Sequence, residues 1–356
     1  MQQFGLEYQN CIAGKSGKSG CERSMTIREL AKILNVSPAA ISIVLNERQG
    51  VSDDTRKRIL EAVEQYGYHP APKRRNTFGT VLVVKYWKNG ILVEENQGFV
   101  SMIVDNVTEQ LRREHFAMTM KVVKVDFRQF LEEENFGNYC GMILIASEIT
   151  RENFPLLAEI PIPLVVVDNT VAGYPISSVC MNNGDNVFLA LRYLREKGHR
   201  QIGHLKSALP LSNFMERESA FHQYSEELGF LVDPEHIYSI SPNMQGAYET
   251  MKQSIQGKAK LPTCFFADND TIALGAIKAL KESGYRIPDD VSVIGFDDIP
   301  YSAISSPGLT TIHVQRDLLG RQAVHQLIRQ MREPALAPMK TVVTGELIER
   351  TSVRTL

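Results

Sequence analysis

Residues 26–70 read TIRELAKILNVSPAAISIVLNERQGVSDDTRKRILEAVEQYGYHP, which spells three short amphipathic helices in succession. Thr26-Ile27-Arg28-Glu29 has the form of a capping box, in which the hydroxyl accepts from a first-turn amide while Glu29 reaches back. Ile27, Leu30, Ala31 and Leu34 recur at helical spacing, and Asn35 ends the run. Ser37 is placed to cap a second helix with Pro38 at its first position, where a missing amide hydrogen costs nothing. Its inner face is Ala40, Ile41, Val44 and Leu45. A third helix starts at Ser52, turns Ile59, Leu60, Val63 and Tyr66 inward, and closes at Gly67. About three residues join the first two helices, the spacing of a helix-turn-helix, whose second helix enters the DNA major groove. Its outward residues are Ser37, Pro38, Ala39 and Ser42, with Ile43 further along. A plain three-helix bundle without a nucleic-acid role has the same local pattern.

The combination Thr26-Ile27, Ala31, Val36-Ser37, Ile41-Ser42, Val44-Leu45-Asn46, Val51-Ser52, Thr55-Arg56 and Gly67-Tyr68 with Pro70 resembles the head-piece of the lactose-repressor (LacI/GalR) family of bacterial regulators. That resemblance implies operator DNA as partner and Thr26, Ser37, Pro38, Ala39, Ser42, Ile43 and Asn46 as its contacts. The chain departs from the family at Ile43, where an Arg is usual. Isoleucine cannot donate to guanine, although it can touch a thymine methyl. A second departure follows Pro70: Ala71-Pro72-Lys73-Arg74-Arg75-Asn76-Thr77-Phe78-Gly79 is shorter than the family's hinge helix and lacks its leucine wedge. Lys73, Arg74 and Arg75 are candidate contacts to phosphates or to a narrow minor groove; the alternative is a solvated linker.

Charge supports the division. Residues 1–76 hold 12 Lys/Arg and 8 Asp/Glu, a net of +4, while the rest carries −6, within a chain of 356 residues and net −2. Residues 1–24 are rich in Gly and Ser and read as a flexible tail, without the apolar stretch of a secretory signal. Their GKS repeats lack the earlier glycine that a phosphate loop requires. Cysteines 11, 21, 140, 180 and 264 are odd in number and too scattered for a metal pair or a disulfide framework. The longest apolar runs are strand-sized, and the expected location is the cytoplasm.

From Val81 the period changes. Apolar runs at 81–84, 118–123, 141–146, 164–168, 178–181, 202–205, 237–240, 264–267 and 291–296 alternate with helical patterns at 100–113, 187–197, 214–228, 271–283 and 318–331. Such alternation means βαβ units and parallel sheets covered by helices on both faces. A body of roughly 270 residues is large for one sheet, so two lobes are expected, with ligand in the cleft beyond their strand ends. PIPLVVVDN, YLREKGHRQIGHL, FFADNDTIALGAIKALKESGYRIPDDVSVIGFDD and SPGLTTIHV resemble the effector-binding core of the same family, which shares the periplasmic-binding-protein architecture. By that resemblance the chain crosses between lobes near Asn182, Leu309 and Thr341. The expected organisation is a tail over 1–24, a DNA-binding head-piece over 25–70, a basic linker over 71–79 and a core over 80–356. Lobe 1 then takes about 80–181 and 310–340, and lobe 2 about 182–309 and 341–356.

The resemblance places an effector-binding Arg at Arg217 and hydroxyl- or amide-binding groups at Asn269 and Asp297. A guanidinium fork, an amide and a carboxylate together can read a polar ring. Local alternatives are a surface ion pair for Arg217, a helix cap for Asn269 and a turn residue for Asp297. Phe214 and Phe296 are candidate stacking surfaces, or core.

No G-x-S-x-G, H-E-x-x-H or G-x-G-x-x-G motif is present, and neither enzyme chemistry, a metal nor a cofactor is expected. An exported solute receptor would leave the front domain without a purpose. The expectation is a homodimeric DNA-binding repressor with a sugar or sugar derivative as effector, a nucleobase-type corepressor being the alternative.

Overall fold

The computed structural model describes residues 27–45, 50–66, 77–88, 98–256 and 260–356. By internal contacts the chain divides into Met1–Phe78 and Gly79–Leu356. The first unit contains α1 (Ile27–Leu34), α2 (Pro38–Leu45) and α3 (Asp53–Gln65). Asn35 takes the left-handed conformation, φ 53°, and the Val36 amide returns to the Ala31 carbonyl at 3.0 Å, which stops α1. Ser37 Oγ accepts from the Ala40 amide at 3.1 Å, and Ser52 Oγ from Thr55 at 3.4 Å, so both expected N-caps form.

Leu30, Ala31, Ile41, Val44, Ile59 and Ala62 make this unit's core. Burial of one such aliphatic side chain contributes about 1.5–3 kcal/mol, so in so small a core the loss of Leu30 or Ile41 is serious. Leu60 and Tyr66 do not face inward: they are 50% and 43% exposed. Two short helices cover only a narrow stripe of α3, and Ile59 with Ala62 fill it. The expected box at Thr26 and stop at Gly67 lie outside the described residues.

The second unit has two parallel sheets. The first has the order β11-β5-β4-β3-β1-β2, from β1 (Thr80–Tyr86), β2 (Ala117–Val123), β3 (Gly141–Ile145), β4 (Leu164–Val167), β5 (Ser177–Met181) and β11 (Lys340–Val343). Helices α4 (Phe99–Arg113), α5 (Phe127–Glu133), α6 (Phe154–Leu157) and α12 (Arg316–Arg332) accompany this lobe. The second sheet has the order β7-β6-β8-β9, from β6 (Gln201–Ser207), β7 (Leu231–Ile240), β8 (Cys264–Ala267) and β9 (Ser292–Ile294). Its helices are α7 (Asn183–Glu196), α8 (Ser212–Glu227), α9 (Met244–Ser254), α10 (Asp270–Glu282) and the short α11 (Pro300–Ile304). All pairings within both sheets are parallel, and their central strands are largely buried, through Val, Ile and Leu runs in β1, β3 and β4 and through Cys264-Phe265-Phe266-Ala267 in β8. Among the described residues no helix is long and apolar enough to cross a membrane.

The chain first leaves lobe 1 between β5 and α7, at Asn182. The other two crossings fall later than Leu309 and Thr341. Thr310 still bridges Ile294 and His313 bridges Asp297, so β10 (Thr311–His313) lies on the second sheet's edge, paired antiparallel with β12 (Glu346–Ile348). The chain returns to lobe 1 only at α12, and β11 stays in register with β5 through Val343. At the last crossing a side chain on Gly345 would meet the His313 carbonyl at 2.6 Å, and its amide is held by Asn186 Oδ1 at 2.7 Å. The crossings are therefore packed against one another.

Candidate functional site

In the head unit, Ser37, Pro38 and Ala39 stand exposed at the N-terminus of α2, while Ser42 and Ile43 are half-buried. The first three are thus free to meet a partner surface. Thr26, Asn46, Lys73, Arg74 and Arg75 lie outside the described residues.

In the core unit a narrow cleft lies between the lobes, with free room of only about 30 Å³ in this closed arrangement. Lobe 1 lines it with Phe99 and Val100 at the start of α4 and with Ser147, Asp168 and Met181 at or beyond the ends of β3, β4 and β5. Lobe 2 supplies Leu211, Asn213, Phe214 and Arg217 around the start of α8, Asn269 beyond β8 and Asp297 beyond β9. Every polar group therefore comes from a strand C-terminal end or a helix start, where open parallel sheets present ligand-binding groups.

Four of the expected ligand residues, Arg217, Asn269, Asp297 and Phe214, line this cleft. Arg217 is buried, with its Nε donating to Asn183 Oδ1 at 2.9 Å and an Nη1 hydrogen to the Asp268 carbonyl. Its Nη2 contacts Met181 Sδ at 2.9 Å and Asp297 Oδ1 at 3.5 Å. The guanidinium lies 3.6 Å from the centre of the Phe296 ring. Phe296 itself is fully buried and does not line the cleft; it is the platform on which Arg217 stacks. The apolar strand end that carried Phe296 into the core explains its place.

Asn269 has two roles at once. Its Oδ1 caps α10 through the Ile272 amide at 2.8 Å, while its buried Nδ2 has no hydrogen-bond partner among the described residues. A buried donor left unmade costs about 1–3 kcal/mol, which an acceptor brought by a ligand would offset. Asp297 takes φ 116°, an unfavourable conformation for a residue with a side chain, and its amide donates to the Ile312 carbonyl at 2.9 Å.

Asp168, Ser147 and Asn213 also line the cleft and are not among the residues expected from sequence. Asp168 is fully buried and also left-handed, at φ 66°. Ser147 Oγ donates to its carboxylate, and Asn213 Nδ2 donates both to that carboxylate and to its carbonyl at 3.0 Å. Burial pushes the Asp168 carboxyl up to about 6, against the lowering pull of Ser147 and Arg217. The signal was present as the Asp that ends the VVVDN strand. Beside it, Asn169 Nδ2 reaches Ser212 Oγ at 3.2 Å and Thr170 Oγ1 reaches Glu216 Oε1 at 2.6 Å, so the two lobes are joined by direct polar contacts.

The lacI family of bacterial regulatory proteins matches residues 26–71, and a periplasmic binding protein-like domain matches residues 191–353. The HTH-type transcriptional repressor PurR of Haemophilus influenzae is 31% identical over 345 residues, covering 93% of this chain and 99% of that protein. PurR of Pasteurella multocida is 30% identical, covering 92% and 98%. Among solved structures, a lac repressor dimer bound to operator and the anti-inducer ONPF has a TM-score of 0.68 at 22% identity, covering 93% of this chain and 100% of that one. A complex of the transcriptional regulator CelR with cellobiose has a TM-score of 0.68 at 22% identity, covering 92% and 99%. These structures share the fold; the near-full-length sequence relatives carry the assignment. The chain belongs to the lacI family of bacterial regulatory proteins.

Proposed function

We propose that this chain is a homodimeric transcription repressor whose operator affinity is set by a small polar effector, a sugar or sugar derivative, in the cleft between the lobes. The observation that carries the effector reading is the pairing of a fixed donor set with a fixed acceptor set. Arg217 is locked by stacking on Phe296 and Asn269 Nδ2 awaits an acceptor, while Asp168 and Asp297 present carboxylates to the same space. A polyhydroxylated ring offers each hydroxyl as both donor and acceptor, which suits this mixture. Phe99 and Phe214 add ring surface to the lining and favour a flat nucleobase as the second reading.

Ser37, Pro38 and Ala39 at the exposed start of α2 are the proposed operator contacts of the head-piece, joined by Thr26, Ser42, Ile43 and Asn46. Lys73, Arg74 and Arg75 add phosphate contacts. Two copies would present two such helices to a two-fold operator. A groove lined by Met244, Leu274, Ile277, Tyr301 and Ile304 supports association of copies, since Ile304 is 76% exposed there. Effector changes DNA affinity only by preferring one lobe arrangement over the other. The cytoplasm, where operators lie, is the proposed location.

The test is a thermal-shift screen of monosaccharides, disaccharides and nucleobases on the full chain and on Arg217→Ala, followed by operator binding with each hit. A sugar that raises Tm of the native chain alone and shifts its operator affinity bears the reading out. A hit that stabilises both proteins equally removes Arg217 from the site, and a nucleobase as the sole hit class selects the second reading.

A further inference from the structure

Three arginines converge on two consecutive residues. Asp297 and Asp298 both have positive φ, 116° and 55°. The Asp297 carboxylate faces Arg217 of α8, and the Asp298 carboxylate is held by Arg350 at 2.7 Å and by His313 at 2.9 Å. The third arginine, Arg316, ignores both carboxylates. It donates from Nη1 to the Asp297 carbonyl and from Nη2 to the Asp298 carbonyl, each at 3.1 Å.

Arg316 differs from the other two in where it comes from. It is the first residue of α12, the helix that follows the second crossing and packs on the lobe 1 sheet and on α4. That packing is close: a side chain on Gly320 of α12 would meet the Ile103 carbonyl of α4 at 2.8 Å. The α4 helix in turn begins with Phe99 and Val100, which line the cleft from the lobe 1 side. Arg316 is 4% exposed; its guanidinium lies 5.7 Å from the Phe99 ring centre, and its buried Nε has no hydrogen-bond partner among the described residues. A buried cation that spends its fork on two carbonyls of a turn with unfavourable φ values fixes that turn.

We propose that Arg316 is a positioning residue that ties the ligand-facing Asp297 turn of lobe 2 to α12 and α4 of lobe 1, so that a change at the Asp297 carboxylate is transmitted across the lobes. The proposal rests on the effector reading of the cleft for its purpose, but its geometry stands without a ligand. A packed helix pair responds as a unit, and a fork on two carbonyls passes on a rotation of the turn that a single bond would not. Without this link, occupancy of the cleft would be felt by lobe 2 alone at this point.

The experiment is hydrogen exchange read by mass spectrometry on the full chain, with neither effector nor DNA added. Asp297→Asn serves as the perturbation, removing the charge that faces the cleft. In the native background it is expected to change exchange in 99–107 and 316–324 by about fivefold or more, and in Arg316→Met by less than about twofold. Arg316→Lys, with an ammonium but no fork, falls between. Equal transmission in Arg316→Met and native backgrounds overturns the proposal, as does a loss accompanied by faster exchange throughout β6 and β8. Should Arg316→Met fail to fold, Arg316→Lys carries the test: reduced transmission supports the link and native transmission overturns it. A failed effector screen would leave this result standing, so the two ideas fail separately.

Discussion

Replacing Arg217 by Met should destabilise the core unit heavily, and replacing Asp297 by Asn as well should return part of the loss. The two side chains are each 3% exposed and meet at 3.5 Å. At an effective dielectric of about 20 that separation corresponds to roughly 4–5 kcal/mol of gross attraction. Breaking a buried pair from one side typically costs about 3–5 kcal/mol, because the other charge is left without compensation. Arg217→Met also strips a donor from Asn183 Oδ1 and from the Asp268 carbonyl, while its thioether stem keeps contact with Phe296. Asp297→Asn leaves Arg217 its other partners and should cost about 1–3 kcal/mol. The double variant should then be more stable than additivity predicts by about 2 kcal/mol. Urea unfolding of the four proteins at pH 7, with m-values checked for constancy, gives the cycle directly. Additivity within about 0.5 kcal/mol would refute the claim that these groups form an ion pair in the folded protein.

Three other outcomes follow from the same structure. Asp168, whose carboxyl burial raises from 3.8 to about 6, binds its proton more tightly folded than unfolded. Its stabilising contribution is therefore full below about pH 4 and is lost as pH rises towards 6, a change of about 3 kcal/mol. Urea midpoints at pH 4.5 and 7 should show that decline reduced in Asp168→Asn; an equal decline in both proteins contradicts it. Replacing Lys73, Arg74 and Arg75 by Ala should weaken DNA binding and flatten the logarithmic salt slope by up to about 2–3 units, and an identical slope would make the segment a spacer. Ile304→Asp places a charge in the groove proposed to meet a second copy, and should weaken self-association by roughly 100-fold in sedimentation equilibrium. An unchanged dimer would move the interface elsewhere.

How much of this was legible depended on whether the determinant was local. The caps at Ser37 and Ser52 need only their own helix, so spacing and residue type were enough. The nine apolar runs read as strands all became strands; seven are largely buried and carry that burial in composition, while those at 118–123 and 237–240 are half-exposed edge strands. The short strands at 311–313, 340–343 and 346–348 escaped, being edge segments with polar residues such as Lys340, Thr341 and Glu346 interspersed. The crossings near Leu309 and Thr341 were misplaced for the same reason: which sheet an edge segment joins is set by distant partners such as Ile294 and Val179.

The cleft shows the same division. Arg217, Asn269, Asp297 and Phe214 were placed by family resemblance and do line it. Phe296 looked like a stacking surface, yet its ring is covered by Arg217, a contact made between separate elements. Asp168 and Asn213 belong to different lobes, and their hydrogen bond exists only once the lobes meet. Leu60 and Tyr66 failed differently, because helical periodicity tells which residues share a face but not how wide a face the neighbours cover.

In the function proposed above, this chain recognises particular DNA sequences as a two-fold dimer. Genome-wide binding-site enrichment with the purified full-length protein tests it most directly. One enriched motif built from two inverted half-sites is expected, lost when Ser37 and Ala39 at the start of α2 are replaced by Glu. Enrichment of no motif, or of one indifferent to those replacements, would contradict it.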